Sequence, residues 1–257
     1  MKMYEREVRE LCDRIRDGRP LVHNITNYVA MNFSANVLLA LGASPLMSSE
    51  PAEMEEIASS ASALVINIGC LDKEQMAAAR LAVTAAGSLD VPWILDPAGV
   101  GVSRMRKDFV RELVYRLRPA AIRGNASEIL TLCGAECDAS GVDSAIPGSD
   151  AVEGAKSLAA TLGTIVAVSG EVDYVTDGAK VEQITGGSPL MASVTAMGCA
   201  CTAVAGAALA VEEDTFAAVC SAMKLMSLAG SLAGSRFSAP GSFASGFIDA
   251  IYEISEG

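Results

Sequence analysis

Ala63-Leu-Val-Ile-Asn-Ile68 and Val91-Pro-Trp-Ile-Leu95 are nearly continuous apolar runs of strand length, each preceded by sequence with helical spacing. Strands that are apolar without alternation are buried on both faces, the condition of a parallel sheet covered by helices on each side. The same order repeats outward from this centre. Upstream, the pattern predicts a short strand at Pro20 to Ile25, a helix from Tyr28 to Leu41 stopped by Gly42, and an extended piece from Pro45 to Met47. Downstream, Ala120 to Arg123 and Thr164 to Ser169 read as further strands, and Asp173 to Ile184 as a hairpin turning at Asp177-Gly178. Met3 to Asp17 carries Val8, Leu11 and Ile15 at helical spacing and is closed by Gly18. Cys199 to Ile254 holds three helical stretches rich in alanine and serine, interrupted by Gly-Ser turns around Gly234 and Gly241. No linker, repeat or low-complexity tract divides residues 1–257, so one α/β domain is expected: three layers, α/β/α, around a mostly parallel sheet with an antiparallel margin.

The bulk properties narrow the function. A chain of 257 residues with 51% hydrophobic content can bury a full core. Its 19 Lys+Arg against 31 Asp+Glu give a net charge of -12, which repels nucleic-acid backbones and anionic lipid surfaces, although a local basic group can still hold one small anion. The seven cysteines are scattered with no C-x-x-C pair, as expected of reduced thiols in a cytoplasmic protein. Met1 to Gly18 is charged on nearly every turn and lacks the apolar stretch of a signal peptide. The most apolar late segment, Phe216 to Gly234, has Lys224 in its middle, which favours a buried helix over a membrane span.

In a parallel sheet flanked by helices, ligands bind at the carboxyl ends of the strands. Polar or glycine residues concentrate at four such ends: Asn24 to Asn27, Asp96-Pro97, Arg123-Gly124-Asn125 with Glu128, and Ser169-Gly170-Glu171. Asp96 is either a turn or helix-cap aspartate or a carboxylate held at the sheet edge by Pro97. Asn125 and Glu128, three apart at a helix opening, either form an ordinary acidic helix start or face one point beside the strand end. If Asp96 and Glu128 converge, they suit hydrated magnesium, which takes carboxylates, waters and substrate phosphates. Thr195-Ala-Met-Gly-Cys199 opens a helix, so its N–H groups can stabilise a phosphoryl group, and the helix dipole can lower the Cys199 pKa. Cys201 and Cys220 read as small core residues. The only histidine, His23, leaves open a Cys199–His23 thiol hydrolase, a reading that requires the two side chains to meet. Gly154-Ala-Lys-Ser157 lacks the Gly-Lys-Ser/Thr order of a Walker A loop, and Gly99-Val-Gly101 lacks the third dinucleotide-fold glycine.

The stretches Pro20-Leu-Val-His-Asn-Ile-Thr-Asn27, Ala40-Leu-Gly-Ala-Ser-Pro-Leu-Met47, Leu95-Asp-Pro97, Ala121-Ile-Arg-Gly-Asn125, Val168-Ser-Gly-Glu-Val-Asp173 and Pro240-Gly-Ser-Phe243 together resemble hydroxyethylthiazole kinase, in order and over almost the whole chain. The resemblance implies a ribokinase-like fold, transfer of the ATP γ-phosphate to 4-methyl-5-(2-hydroxyethyl)thiazole with Mg2+, and a homotrimer with active sites at subunit interfaces. It implies ATP contacts at Arg123 and Ser169, with Asn125 beside them, and magnesium-linked acids at Asp96 and Glu128. It places Met47 in the thiazole pocket, Asn27 in a segment that encloses substrate from a neighbouring subunit, and Cys199 where related sugar kinases carry an aspartate base. The chain departs from the family's Gly-x-Gly-Cys turn: Ala196 replaces the first glycine and Met197 a small residue. Alanine is tolerable there at negative φ and costly at positive φ. The departure admits two alternatives, a kinase for another heterocyclic alcohol such as a hydroxymethylpyrimidine, or a thiazole-binding protein without turnover.

Overall fold

The apolar runs do form neighbouring strands, and their alternation sorts side chains onto two cores. A computed structural model describes residues 5–134 and 147–256; the expected helix start at Met3, and Cys137, lie outside the described residues. In chain order the elements are α1 (Glu5–Gly18), β1 (Leu21–Ile25), α2 (Met31–Leu41), β2 (Ser44–Met47), α3 (Met54–Ser60), β3 (Ala63–Asn67), α4 (Lys73–Ser88), β4 (Trp93–Asp96) and α5 (Arg104–Leu117). They continue as β5 (Ala121–Asn125), α6 (Ala126–Leu132), α7 (Val152–Leu162), β6 (Ile165–Ser169), β7 (Asp173–Thr176), β8 (Val181–Ile184), α8 (Met197–Leu209), α9 (Thr215–Arg236) and α10 (Pro240–Glu256). One eight-stranded sheet runs β2-β1-β3-β4-β5-β6-β7-β8. Strands β1 to β6 are parallel, and the hairpin β7–β8 adds the antiparallel margin.

Val22, Val65, Ile94, Ala121 and Ala167 point to a core shared with α1, α2, α8, α9 and α10. Their strand neighbours Leu64, Ile66, Leu95, Ile122, Val166 and Val168 point to a second core under α4 to α7. This is the two-faced burial that apolar runs without alternation require. Helix α9 is long and apolar enough to cross a membrane, but most of it is buried against its neighbours. Its Lys224, 5% exposed, is held by Glu7 of α1 and Glu182 of β8, so the buried ammonium is compensated.

Two helix boundaries differ from expectation. Gly18 remains helical, and the positive φ that reverses the chain falls on Arg19, at 42°. Gly234 lies inside α9 and Gly241 inside α10, with the break at residues 237–239. Gly234 is there because a side chain would collide with Ser188, whose Cβ is 2.7 Å from the position a methyl would take.

Helix α8 is built almost wholly from small residues and lies directly over β1, β3 and β4. A methyl on Gly206 would stand 2.6 Å from Val65 Cγ2 and 3.4 Å from Val22 Cγ1. Gly206→Ala is therefore expected to lower stability by about 1 kcal/mol, the middle of the roughly 0–2 kcal/mol that remains when about 1 kcal/mol of improved helix propensity offsets overpacking of roughly 1–3 kcal/mol. The midpoint of urea unfolding checks this, and an unchanged midpoint would mean that α8 has room to lift off the sheet.

Candidate active site

The residue two positions after a core side chain in a strand lies on the same face. Val65, Ile94, Ala121 and Ala167 are followed in this way by Asn67, Asp96, Arg123 and Ser169, all at or near the carboxyl ends of their strands. The apolar α8 face of the sheet thus becomes polar in one row, directly under the N-terminus of α8.

Two carboxamides organise the centre. Asn27 accepts a hydrogen bond from the Ala30 N–H at Oδ1, and Asn67 accepts one from the Gly69 N–H, each at 2.9 Å, which fixes which end of each amide is the NH2. The Asn67 amide then donates to Asp96 Oδ2 at 2.7 Å and to Cys199 Sγ at 3.2 Å. The Asn27 amide donates to Asn67 Oδ1 at 2.9 Å and to the same sulfur at 3.3 Å. Thr202, one turn beyond Cys199, donates to Asp96 Oδ2 at 2.9 Å. Asn27 therefore reaches the site of its own chain.

The Cys199 thiol does not follow the helix-dipole expectation. Burial, then the neighbouring Asp96 charge, pushes it up to about 12, and the two amide donors offset only part of this. Desolvation of a thiolate outweighs the dipole, and the group is a neutral thiol at physiological pH. Cys201 and Cys220 are buried core residues as expected, with burial raising both thiols. His23 shares a face of β1 with Ile25, and its Nε2 lies 3.1 Å from the Ser48 carbonyl. The sulfur's side-chain partners are Asn27 and Asn67, so the Cys199–His23 pairing that a thiol hydrolase requires is not formed.

The charged groups are unevenly matched. Burial lowers the Arg123 pKa, but Cys201, Asp96, Glu128 and Asp173 together outweigh it and leave the guanidinium firmly charged. Its Nη2 donates to Ser169 Oγ, its Nε is buried without a partner, and its Nη1 lies so close under Gly198 that a methyl there would stand 2.7 Å away. Asp96 is 2% exposed, and burial raises its pKa against the pull of Arg123. Burial, then repulsion from Asp96, pushes Glu128 up to about 7; burial pushes Asp173 to about 6. Asn125 and Glu128 form a reciprocal capping box at the start of α6, and the second Glu128 oxygen accepts the Gly99 N–H at 2.9 Å. The helix-start reading of this pair is therefore realised. Among the described residues no three Asp, Glu, His or Cys side chains converge on one point. The Asp96 charge raises Glu128 in this buried setting, and two carboxylates so placed are the oxygen donor type that magnesium takes.

Met47 ends the edge strand β2, opposite Asn24 in register. Met197 is 6% exposed and belongs to the core under α8. Asn67 and Thr202 carry the network, and Asp173 adds a charge near Arg123, none of the three being singled out from the sequence. Asn67 had a visible signal, as the one polar residue inside Ala63 to Ile68. Thr202 stands one turn from Cys199, on the same helix face, inside an alanine-rich run.

A sequence profile of the Hydroxyethylthiazole kinase family matches residues 12–257. The hydroxyethylthiazole kinase of Nitratidesulfovibrio vulgaris (strain DP4) is 47% identical over 240 residues, 93% of this chain and 90% of that protein. That of Brachyspira hyodysenteriae is 44% identical over 254 residues, 99% of this chain and 96% of that one. The solved hydroxyethylthiazole kinase structure from Pyrococcus horikoshii OT3 superposes with a TM-score of 0.88 at 37% identity, covering 98% of this chain and 94% of that one. A ribokinase-like superfamily protein from Enterococcus faecalis V583, at 15% identity and a TM-score of 0.67, shares the fold.

Ala196, the departure from the expected glycine, has φ 68° and ψ 1°, the left-handed conformation that L-residues avoid. The strain sits in the turn that presents the α8 N-terminus. Ala196→Gly is expected to stabilise the fold by about 0.5–1 kcal/mol, relief of left-handed strain exceeding the added entropy of the unfolded chain. Thermal melting checks this as a rise of about 1–4 °C; a fall would mean that the Ala196 methyl makes contacts that compensate its strain.

Proposed function

The chain belongs to the hydroxyethylthiazole kinase family, and from that premise we infer how its residues carry a phosphoryl group from ATP to the hydroxyl of 4-methyl-5-(2-hydroxyethyl)thiazole. It is a ribokinase-like enzyme of thiamine salvage. The convergence of Asp96, Arg123 and Cys199 beneath the N-terminus of α8 is the observation that carries the mechanism.

Phosphoryl transfer requires little covalent help from the protein; it needs alignment of donor and acceptor and stabilisation of charge. The free N–H groups at the start of α8 face the row of strand ends and stabilise the transferring group. Arg123 offsets polyphosphate charge, with Ser169 and Asn125 beside it as ATP contacts. Asp96 and Glu128 would hold magnesium, which would supply positive charge to offset the phosphates and the Asp96 charge that raises Glu128. Cys199 positions the acceptor hydroxyl. The transition state is loose, so the hydroxyl needs little deprotonation before attack, and a thiol with a pKa of about 12 is not disabling. Met47, Ala196 and Asn27 border the thiazole. This reading includes one kinase domain over 1–257, a homotrimer with sites at its subunit interfaces, and a cytoplasmic location.

ADP release should be stimulated by hydroxyethylthiazole in the presence of magnesium and abolished by EDTA. Stimulation by a hydroxymethylpyrimidine alone would keep the fold and change the substrate; release unaffected by either alcohol would reject a kinase with these acceptors.

Because the thiol does not titrate near neutrality, Cys199→Ala should keep kcat within about tenfold of the parent, without a new pH dependence between pH 6 and 9. A general base contributes about 100-fold or more, so a loss of that size would instead assign the base to Cys199.

A further inference from the structure

Three cations occupy the first turn of α5, at Arg104, Arg106 and Lys107, and that turn holds no acidic residue. Positive charge is unfavourable at a helix N-terminus, so the helix itself gives no reason for this choice. Arg104 turns outward to Asp108, whereas Arg106 is half-buried and turns toward the strand ends. Its Nη1 donates to the Ile68 carbonyl and, at 2.9 Å, to the Ala98 carbonyl, while its Nη2 donates to the Gly69 carbonyl at 3.0 Å. One guanidinium thus holds the loops that follow β3 and β4.

Each of two anchored carbonyls shares a peptide plane with an N–H that is used in the active site. The Ile68 C=O and the Gly69 N–H are opposite ends of one planar unit, and that N–H fixes Asn67 Oδ1 at 2.9 Å. The Ala98 C=O and the Gly99 N–H are opposite ends of another, and that N–H holds Glu128 Oε1 at 2.9 Å. The Ala98 N–H, on the preceding peptide, bonds the Asp96 carboxylate. Glycine is needed at both pivots: a methyl at Gly69 would stand 2.8 Å from Asn27 Nδ2, and Gly99 has φ 67°. Rotation of the first plane would free the Asn67 amide, which aims at both Asp96 and Cys199.

We propose that Arg106 is a positioning residue of the phosphoryl-transfer site, fixing Asn67 and Glu128 through the Ile68–Gly69 and Ala98–Gly99 peptide planes. The planar guanidinium presents several donors in a rigid fork and can satisfy three carbonyls at once; a lysine ammonium has no such fork. Its charge also polarises both peptides, strengthening their N–H groups as donors.

The catalytic part of this proposal rests on the kinase reading, so the test has two arms. Arg106→Met is compared with Arg80→Met, which removes another tie of α5, the paired hydrogen bonds from Arg80 to Glu112 at 2.8 and 2.7 Å, without touching either loop. In the first arm, hydrogen–deuterium exchange of segments 67–71 and 97–101 should accelerate about tenfold or more in Arg106→Met and stay at parental rates in Arg80→Met, as expected for loss of charge-assisted bonds. This arm needs no activity. In the second arm, kcat of Arg106→Met should fall by about 100-fold with KM for ATP changing much less, as misplacement of catalytic groups predicts, while Arg80→Met keeps parental kcat. Arg106→Lys, which retains the charge without the fork, should fall between the two and gives the reading if Arg106→Met does not fold. Unchanged exchange in both segments would overturn the proposal, as would accelerated exchange with kcat within twofold of Arg80→Met. A parent enzyme with no alcohol-stimulated ADP release would sink the kinase reading instead and leave the exchange arm standing.

Discussion

The close seat of α8 on the sheet is the constraint on which the site depends. Gly206 lets the helix backbone sit where a methyl would meet Val65 and Val22, and the surrounding small residues keep the approach close. At that separation short side chains bridge helix and strands: Thr202 reaches Asp96, and Cys199 meets the amides of Asn67 and Asn27. A larger residue at the base of the helix would tilt its N-terminus away from the strand ends and break these contacts together. Gly198 extends the same rule, since only the absence of a side chain lets Arg123 pass beneath the helix opening. Core packing and catalytic geometry are thus one arrangement seen at two ends of α8.

Electrostatics act within that frame. Three buried or half-buried acids, Asp96, Glu128 and Asp173, surround a single arginine, and all three have raised pKa values. Left alone, such an excess of negative charge is unfavourable, because burial removes the water that would solvate it. The site is in this sense prepared for a cation, and the neutral state of Cys199 follows from the same field: a thiolate would add a further negative charge beside Asp96. The dipole of α8, which taken alone argues for a low thiol pKa, is the weaker effect here.

The architecture was legible because two-sided burial writes itself into sequence as runs without alternation, and every expected strand was found within a few residues of its place. The strand-end residues Asp96, Arg123 and Ser169 were legible for the same reason, as the first polar positions after such runs. Glycine stops were less informative. Gly42 adopts the left-handed conformation and ends α2, but Gly18 does not, and Gly234 leaves space for Ser188 rather than making a turn. A glycine's role depends on what packs against it, which sequence spacing does not contain. The Asn27–Asn67–Cys199 cluster joins residues 172 and 132 positions apart, so its members could be seen singly but not as a unit.

On the proposed reading, in which Cys199 positions the acceptor hydroxyl, the amide network explains how a thiol is held in that place. Both carboxamides point their NH2 groups at Sγ, and their oxygens are committed to backbone N–H groups, so neither can turn to offer an acceptor instead. A sulfur that accepts two such bonds is held in place, and its S–H remains free to donate elsewhere. An aspartate in the same position would also find two donors waiting, but it would bring a charge into a site that already holds Asp96 and Glu128 in excess over Arg123. The donors favour a carboxylate and the surrounding field opposes it. Cysteine satisfies the geometry of the first while avoiding the repulsion of the second, and the cost, a weak base, is small for a reaction whose transition state asks for little proton transfer.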